Sequence, residues 1–333
     1  MSPPGPWQQV LVAAADPAGL RDLLPRAAAA ARGADSTLRV LLVPPELPDL
    51  ARVARRTGVT PEALVAQRDE EARATVRAGL AGLDLPRPPI LELRQGTLFL
   101  EVIREVETHR CDLLVKSAER RAGPAARRLG DAFRASTDQH LLRKSPVPLW
   151  LVEPAGPPGP RCVLAAIDVD DGDSSEPETL AGLNERILVQ LLGLAMLGAR
   201  EIHLVHAWDA PGEGMLRRCL PPGEVAAWVL DYLHEVERGH RRPLEDLAAA
   251  LRRSIDARGL TTVVEAHLSR GGARQVLPEA VRRLDADLLV MGTVGRSGIP
   301  GLLIGNTAED VLNAVDCSLL AVKPPGFVCP LDL

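Results

Sequence analysis

The sequence lacks the features that mark exported, membrane-embedded or disulfide-stabilised proteins. Its start, Met-Ser-Pro-Pro-Gly-Pro, has neither the basic residues nor the apolar segment of a signal peptide. The longest apolar stretch, residues 187–199, is too short to span a bilayer. The five cysteines include no Cys-x-x-Cys pair, which favours a reduced compartment. We therefore expect a cytoplasmic protein without a membrane segment.

A concentrated positive charge is also missing. The chain has 44 acidic and 39 basic residues, a formal net charge of −5, and its basic residues are scattered through helical patterns. Proteins that bind nucleic acids gather basic residues into a patch or stripe that contacts phosphates. Nucleic acid is therefore not expected as a partner.

Common catalytic signatures are absent as well. The sequence has no Gly-x4-Gly-Lys-Ser/Thr loop of the P-loop ATPases and no Gly-x-Gly-x-x-Gly fingerprint after the first strand of either half. The segment Gly295-Arg-Ser-Gly-Ile lacks the final glycine of a nucleophile elbow, and His234-Glu235 lacks the second histidine of a zinc-binding helix. We predict no catalytic residues and no enzymatic activity beyond slow ATP hydrolysis at most.

Two patterns that suggest metal binding do not meet its geometric needs. In the run Asp168-Val-Asp-Asp-Gly-Asp173 the glycine falls fifth instead of sixth, and Thr179 stands where a calcium loop needs a bidentate glutamate. His203 and His206 are three residues apart on a predicted strand, so their side chains point to opposite faces and cannot share an ion. We expect both histidines to be structural and predict no metal site.

A segment rich in proline and glycine, residues 153–160, divides the chain into two halves. It lacks the backbone donors and side chains needed for a helix or a central strand. A length of 333 residues also suggests two domains of about 150 residues each. We therefore predict a first domain at residues 1–155 and a second at residues 156–333.

The same order of elements is repeated on either side of this linker. Near-continuous apolar strands alternate with helices, which is typical of parallel sheets covered on both faces. The repetition predicts two tandem doubly wound α/β domains, each with a five-stranded parallel sheet. The predicted strands are Gln9–Asp16, Leu38–Val43, Ile90–Arg94, Asp112–Lys116 and Pro148–Val152 in the first half, and Cys162–Asp168, Glu201–Trp208, Thr261–Leu268, Asp287–Met291 and Ser318–Val322 in the second.

A glycine-spaced loop follows the fourth strand of the second half. Gly292, Gly295 and Gly305 lie between this strand and the last helix. Glycine lets a ligand approach the backbone closely, and the start of a helix attracts anions, so the loop is a candidate cradle for phosphate groups. The aligned positions of the first half hold serine, arginine and alanine, which indicates that the first half has lost the cradle.

The spacing Gly292-x2-Gly295-x9-Gly305 resembles the ATP-binding signature of universal stress proteins, which continues with Ser or Thr where this chain has Asn306. The runs Gly-Thr-Val-Gly-Arg-Ser-Gly-Ile-Pro and Gly-Asn-Thr-Ala-Glu-Asp-Val-Leu are similar to the second half of the tandem, UspE-like branch of that family. This resemblance implies Rossmann-like domains of the adenine-nucleotide α-hydrolase type. It also implies that the second half binds ATP, with or without Mg²⁺.

By the same resemblance, the aspartate that ends the first strand contacts the nucleoside. Backbone groups near the ends of the second and fourth strands frame the base, and the glycine loop holds the phosphates. Open α/β sheets bind ligands at the edge where these carboxyl ends lie. The matching positions are Asp168, Ala207, Met291, Gly292, Gly295, Gly305, Asn306 and Thr307, and Arg296 is the only positive charge in the loop.

A purely structural role of the loop stays open. Asn306 can cap the last helix, with Glu309 closing a capping box, while the glycines only permit a tight turn. Glu309 and Asp310 in the first helical turn would also repel a triphosphate. In favour of binding, Thr307 and Ser297 supply hydroxyl groups, and Mg²⁺ could offset the carboxylates.

The first half offers weaker candidates. Asp16 ends its first strand as Asp168 ends the first strand of the second half, but without the glycines we expect no nucleotide site there. His140 and Lys144 are spaced i, i+4 on the helix after its fourth strand, where Arg143 and Lys144 could attract an anion. We interpret these residues as an ordinary solvated helix face.

The resemblance implies a stress-response protein whose nucleotide-bound state is sensed by an unknown protein partner, because such a switch needs no catalytic base. One alternative is a nucleotide-independent adaptor or small-ligand carrier, with long inserts at residues 46–82 and 221–259 covering its pocket. Another is an enzyme of the wider superfamily, which would need a residue that activates water. Because the family dimerises through its last strand, we expect Pro148–Val152 and Ser318–Val322 to pair the halves as a pseudo-dimer, with a homodimer as a further option.

Overall fold

The chain divides into two units, one formed by residues 1–158 with 329–333 and the other by residues 159–328. The structure is a computed structural model that describes residues 7–47, 49–119, 136–154, 156–157, 159–169, 177–219, 225–293 and 305–331. Among these residues, no helix is both long enough and apolar enough to cross a membrane.

The first unit is a doubly wound α/β domain whose central strand is buried on both faces, because helices cover the sheet on either side. Val10, Leu11, Val12 and Ala13 of this strand are all inaccessible to solvent. The described strands are β1 (Gln9–Ala14), β2 (Thr37–Leu42), β3 (Ile90–Leu93), β4 (Leu113–Ser117) and β5 (Leu149–Val152), and the helices are α1 (Pro17–Leu20), α2 (Leu24–Ala30), α3 (Leu50–Thr57), α4 (Pro61–Leu80), α5 (Leu98–His109) and α6 (Thr137–Lys144). The strands pair in parallel in the order β3-β2-β1-β4-β5.

The second unit repeats this architecture. Its described strands are β6 (Cys162–Ala166), β7 (Glu201–Trp208), β8 (Val263–Arg270), β9 (Leu288–Gly292) and β10 (Ser318–Val322), and its helices are α7 (Pro177–Met196), α8 (Glu213–Cys219), α9 (Val225–Asp256), α10 (Ala273–Arg283) and α11 (Asn306–Ala314). They pair in parallel in the order β8-β7-β6-β9-β10, which matches the order of the first unit. The prediction of two tandem doubly wound domains is confirmed.

Several strand ends differ from the predicted ones by two residues. β1 ends at Ala14 because Asp16 leaves the ladder and caps α1, its Oδ1 accepting the Ala18 N–H at 2.9 Å. β8 begins two residues late and extends to Arg270, which lies opposite Trp208 of β7. Strand ends depend on where a neighbouring strand stops offering hydrogen bonds, and the apolar pattern of one segment does not contain that information.

A buried ionic network joins β2 and α5 in the first unit. The Glu105 side chain is inaccessible to solvent, with Oε1 lying 2.9 Å from Arg39 Nε and 3.3 Å from His109 Nε2. Its other oxygen, Oε2, lies 2.5 Å from Arg94 Nη2. Because a buried charge is costly without its partner, these side chains depend on one another.

Candidate functional site

Strands β6 and β9 form the topological switch point of the second unit. They are neighbours in the sheet, but the chain leaves β6 towards β7 on one side and leaves β9 towards β10 on the other. Ligands of open α/β sheets bind in the crevice at such a point, beyond the carboxyl ends of the strands. Asp168 follows the end of β6, Gly292 ends β9, and Thr293 comes next. We call these three residues the β6–β9 edge; it contains two of the predicted site residues.

Helix α7 packs over the β6–β9 edge. The Asn184 amide of this helix donates to the Asp168 carbonyl oxygen at 2.7 Å. The preceding residue of α7, Leu183, lies against Gly292, where an added Cβ atom would come within 2.6 Å of Leu183 Cδ2. The close approach of α7 is therefore a reason for glycine at position 292 that does not involve a ligand.

Replacing Gly292 with valine is expected to lower the free energy of unfolding of the ligand-free protein by about 1–3 kcal/mol, because the new side chain overpacks the contact with Leu183. In a Leu183→Ala background the loss should be smaller. Urea unfolding of the wild type, both single variants and the double variant measures this coupling. Equal losses in the two backgrounds would contradict the proposed contact.

Two buried polar atoms at this site have no hydrogen-bond partner among the residues that the structure describes. They are Thr293 Oγ1, on a side chain inaccessible to solvent, and Asn184 Oδ1, on a side chain that is 5% exposed. A buried polar group without a partner costs about 1–3 kcal/mol. Native proteins therefore pair nearly all such groups with protein, water or ligand atoms. The two atoms are therefore available to an ordered water or a polar ligand at this edge.

The backbone of Thr293 connects the edge to the last strand and the last helix. Its N–H donates to the Val322 carbonyl oxygen at 3.2 Å, and its own carbonyl oxygen accepts the Gly305 N–H at 3.1 Å. The Gly305 N–H is therefore occupied within the fold. The N–H groups of the next three residues are those that an α-helix leaves without an intrahelical partner, so these can face an anion.

In the alternative of a purely structural loop, Asn306 would cap the last helix, but the structure places the N-cap one residue earlier. Helix α11 begins at Asn306, and the residue in the N-cap position is Gly305, whose carbonyl oxygen accepts the Glu309 N–H at 3.0 Å. Because the first intrahelical bond closes on Gly305, Glu309 lies one position beyond the place that a capping box requires.

The other predicted positions are distributed along the same edge or lie outside the described residues. Ala207 is half-buried near the end of β7, Met291 is buried in β9, and Thr307 is exposed in the first turn of α11. Gly295 and Arg296 lie outside the described residues.

A buried pair of histidines lies beside Asp168. His206 Nδ1 of β7 is 3.0 Å from the Ile167 carbonyl oxygen and 3.9 Å from Asp168 Oδ1. Its Nε2 lies 3.1 Å from His240 Nδ1 of α9. The predicted orientation of His206 away from His203 agrees with this contact, since alternate strand residues face opposite sides. The sequence interpretation missed His240, because no local pattern indicates which helical residue meets β7.

In the first unit, an ion pair lies at the end of β4, the strand that corresponds to β9. Lys116, at the end of β4, lies 2.8 Å from Asp138 Oδ1 of α6, and Asp138 Oδ2 accepts the Glu119 N–H at 2.7 Å. Burial raises the pKa of Asp138, whereas Lys116 opposes this shift. The Asp138 carboxylate thus already binds the Glu119 N–H and the Lys116 ammonium group. An anionic ligand at this place would need the same two groups.

The interpretation of His140 and Lys144 as a solvated helix face needs correction. The His140 ring stacks on Phe99 with 4.1 Å between the ring centres, and Lys144 Nζ lies 4.9 Å from the centre of the same ring. Both side chains are half-buried. Phe99 of α5 attracts them because an aromatic face favours stacking and a nearby cation.

Comparisons with known proteins point to one family. The model of the universal stress protein family matches residues 6–153 and 192–323. The chain is 31% identical over 237 residues to universal stress protein E of Escherichia coli (strain K12), covering 71% of this chain and 68% of that protein. It is 30% identical over 221 residues to the universal stress protein E homolog of Haemophilus influenzae, covering 66% of this chain and 64% of that protein.

A solved structure supports the fold over nearly the whole chain. The putative universal stress protein from Pseudomonas aeruginosa UCBPP-PA14 gives a TM-score of 0.57 at 22% identity, with 96% of this chain and 94% of that chain covered. At this level of identity the likeness concerns the fold alone.

Proposed function

Because the chain belongs to the universal stress protein family, we propose that its second unit binds an adenine nucleotide, ATP, at the β6–β9 edge. The observation that carries this proposal is a pair of buried polar atoms, Thr293 Oγ1 and Asn184 Oδ1, for which the described part of the chain supplies no hydrogen-bond partner. They lie where the strand order places the ligand crevice of a doubly wound sheet.

Five of the predicted residues have a direct role in this proposal. Asp168 accepts hydrogen bonds from the nucleoside, and the backbone near Ala207 and Met291 frames the base. The first N–H groups of α11, at Asn306 and Thr307, face the phosphates, since a helix N-terminus combines free donors with a favourable dipole.

Two acidic residues in the first turn of α11, Glu309 and Asp310, oppose phosphate binding less than their two formal negative charges suggest. Asp310 Oδ2 lies 2.9 Å from Arg274 Nη1 of α10, so one of the two carboxylates has a cationic neighbour. Both side chains of this pair are about half exposed, which limits its strength. For Glu309, Mg²⁺ bound together with the phosphates would supply the compensating charge.

Titration calorimetry of the full-length protein with ATP and Mg²⁺ tests the proposal. One nucleotide per chain is expected, because the first unit fills its equivalent position with the Lys116–Asp138 ion pair. Heat that stays at the level of dilution throughout the titration would refute nucleotide binding.

Replacing Thr293 with valine is expected to weaken ATP binding about 2- to 10-fold, the effect of one lost hydrogen bond, without lowering the stability of the ligand-free protein. Valine has nearly the shape of threonine and removes a hydroxyl that has no hydrogen-bond partner within the described residues. Calorimetry and urea unfolding of the same preparation measure the two quantities. A stability loss with unchanged affinity would show that the hydroxyl serves the fold and not a ligand.

We further propose that the nucleotide-bound state is sensed in the cytoplasm by a protein partner and is not used for turnover. The nucleotide would then act as a switch, which needs binding but no group that activates water. Sustained ADP release that disappears in Asp168→Ala, while the fold is retained, would contradict this part of the proposal.

A second candidate is the nucleotide-independent adaptor. It is favoured by two contacts that consume parts of the expected cradle: Leu183 occupies the space above Gly292, and the Gly305 N–H bonds to Thr293. This alternative would be supported if the protein does not bind ATP and if Gly292→Val nevertheless lowers its free energy of unfolding.

A further inference from the structure

One face of β7 and β8 carries a cluster of histidine and glutamate side chains. Each strand contains a Glu-x-His sequence, Glu201-Ile-His203 in β7 and Glu265-Ala-His267 in β8. Residues two apart on a strand share a face. The parallel register places His203 opposite Glu265 and Val205 opposite His267. All four side chains of the two sequences therefore lie on the same face of the sheet.

Three atoms of this cluster form a compact triangle. His203 Nδ1 lies 3.0 Å from His267 Nε2 and 3.6 Å from Glu265 Oε2, and the latter two atoms are 3.5 Å apart. Ligand atoms around a tetrahedral zinc ion, with bonds of about 2.0 Å, are separated by about 3.3 Å. The triangle thus has the dimensions of three corners of a zinc coordination tetrahedron.

The fourth side chain, Glu201, orients the ring of the first histidine. Glu201 Oε2 lies 3.4 Å from His203 Nε2, which favours a proton on Nε2 and leaves a lone pair on Nδ1. That lone pair faces the nitrogen of a second imidazole and a carboxylate oxygen. The cluster therefore offers two imidazole nitrogens and one carboxylate oxygen to a single ion.

We propose that His203, His267 and Glu265 bind a divalent metal ion of the zinc class, with Glu201 as a positioning residue behind His203. Two imidazole nitrogens and one carboxylate oxygen are ligands that zinc commonly takes in proteins, with one position left for water. The His203 side chain is 6% exposed, whereas that of Glu265 is 56% exposed, so an ion can enter from solvent and still have one rigidly held ligand.

A neighbouring set, Cys162 with Glu201 and His203, also has its ligand atoms within 4.8 Å of one another. The Cys162 thiol donates to the Leu284 carbonyl oxygen, with Sγ 3.3 Å from that oxygen. Zinc binds the thiolate, so an ion in this set would have to break that hydrogen bond. The set with two histidines is therefore the better site.

This ion site is separate from the proposed nucleotide site. His203 and His206 face opposite sides of β7, and His206 lies beside Asp168. The ion would fasten the outermost strand of the unit, β8, to its only neighbour within that unit, β7, among the described strands. Metal binding to the folded protein alone stabilises that protein by mass action.

The proposal is tested by measuring the affinity and stoichiometry of Zn²⁺ binding in competition with a chromophoric chelator. The sample is the full chain without a histidine tag, from which bound metal has been removed with EDTA. We expect one Zn²⁺ per chain. Glu265→Gln and His267→Gln should each weaken binding at least about 100-fold, and Glu201→Gln about 10-fold, because lost ligands cost more than lost outer partners. Co²⁺ should give the intense visible bands of a tetrahedral site in the wild type and lose them in Glu265→Gln.

Cys162→Ser is the matched control and should bind Zn²⁺ as the wild type does. Circular dichroism verifies the fold of every variant, and Glu265→Gln, at an exposed side chain, keeps the test valid if His267→Gln does not fold. Absence of Zn²⁺ binding, or unchanged binding in Glu265→Gln, would overturn the proposal. Loss of binding in Cys162→Ser alone would overturn it in favour of the cysteine set.

Discussion

Replacing Glu105 with alanine is expected to lower the free energy of unfolding of the first unit by about 3–5 kcal/mol. The Glu105 side chain is inaccessible to solvent and pairs with Arg39, Arg94 and His109. Its removal leaves the buried Arg39 guanidinium without its carboxylate in a poorly hydrated environment. The penalty arises mainly from that unpaired charge and is much larger than the net stabilisation by the intact pair.

Glu70 provides a matched control for this experiment. It pairs with Arg77 at 3.2 Å on the exposed side of α4, where both side chains are more than half exposed. Glu70→Ala should cost at most about 1 kcal/mol, since solvent screens this pair. Urea-dependent hydrogen exchange of β2 and α5 reports the stability of the first unit separately from the second. Similar losses in the two variants would contradict the role of burial in the network.

Replacing Asp168 with alanine is expected to weaken ATP binding by about 10- to 100-fold. Hydrogen bonds to a charged group contribute about 1.5–3 kcal/mol, and alanine removes the acceptor altogether. The Asp168 side chain is 43% exposed, so its loss should leave the fold intact. Calorimetric titration with ATP and Mg²⁺ measures the change in affinity.

Asp16 is the equivalent aspartate of the first unit and serves as the control. Its carboxylate caps α1 by accepting the Ala18 N–H, so Asp16→Ala should cost about 1 kcal/mol of stability and leave the affinity unchanged. An affinity that is equal in Asp168→Ala and the wild type would place the nucleotide elsewhere. An effect of Asp16→Ala on the affinity would point to a site in the first unit.

The sequence was sufficient to predict the strand-end residues of the candidate site, but not the residues of helix α7 that pack over them. Asp168 and Gly292 follow from the rule that carboxyl ends of parallel strands lie together. Asn184 and Leu183 of α7 could not be found in this way, because a helical pattern does not say which residue contacts a strand end. Thr293 is visible in the sequence, but its burial, with no hydrogen-bond partner in the ranges that the structure describes, is a property of the packed protein.

The metal cluster had a visible but incomplete pattern. The two Glu-x-His sequences could have been recognised on the predicted strands, because residues two apart share a face. His203 and His206 lie on the same strand and face opposite sides, so this pair alone does not indicate the cluster. Even with both sequences recognised, the register that sets His203 opposite Glu265 was needed to bring the ligand atoms together.

Element type and the repeated domain follow from the sequence, because apolar periodicity and turn residues are local patterns that occur in both halves, and a proline-rich linker separates the halves. The order of the strands in each sheet comes from the structure. Contacts between residues distant in the chain depend on three-dimensional packing. No local pattern specifies which neighbour a helix residue or a strand residue meets. Three contacts show this: Leu183 with Gly292, Asn184 with Asp168, and His203 with His267. These contacts determine which polar atoms remain available to a ligand or an ion.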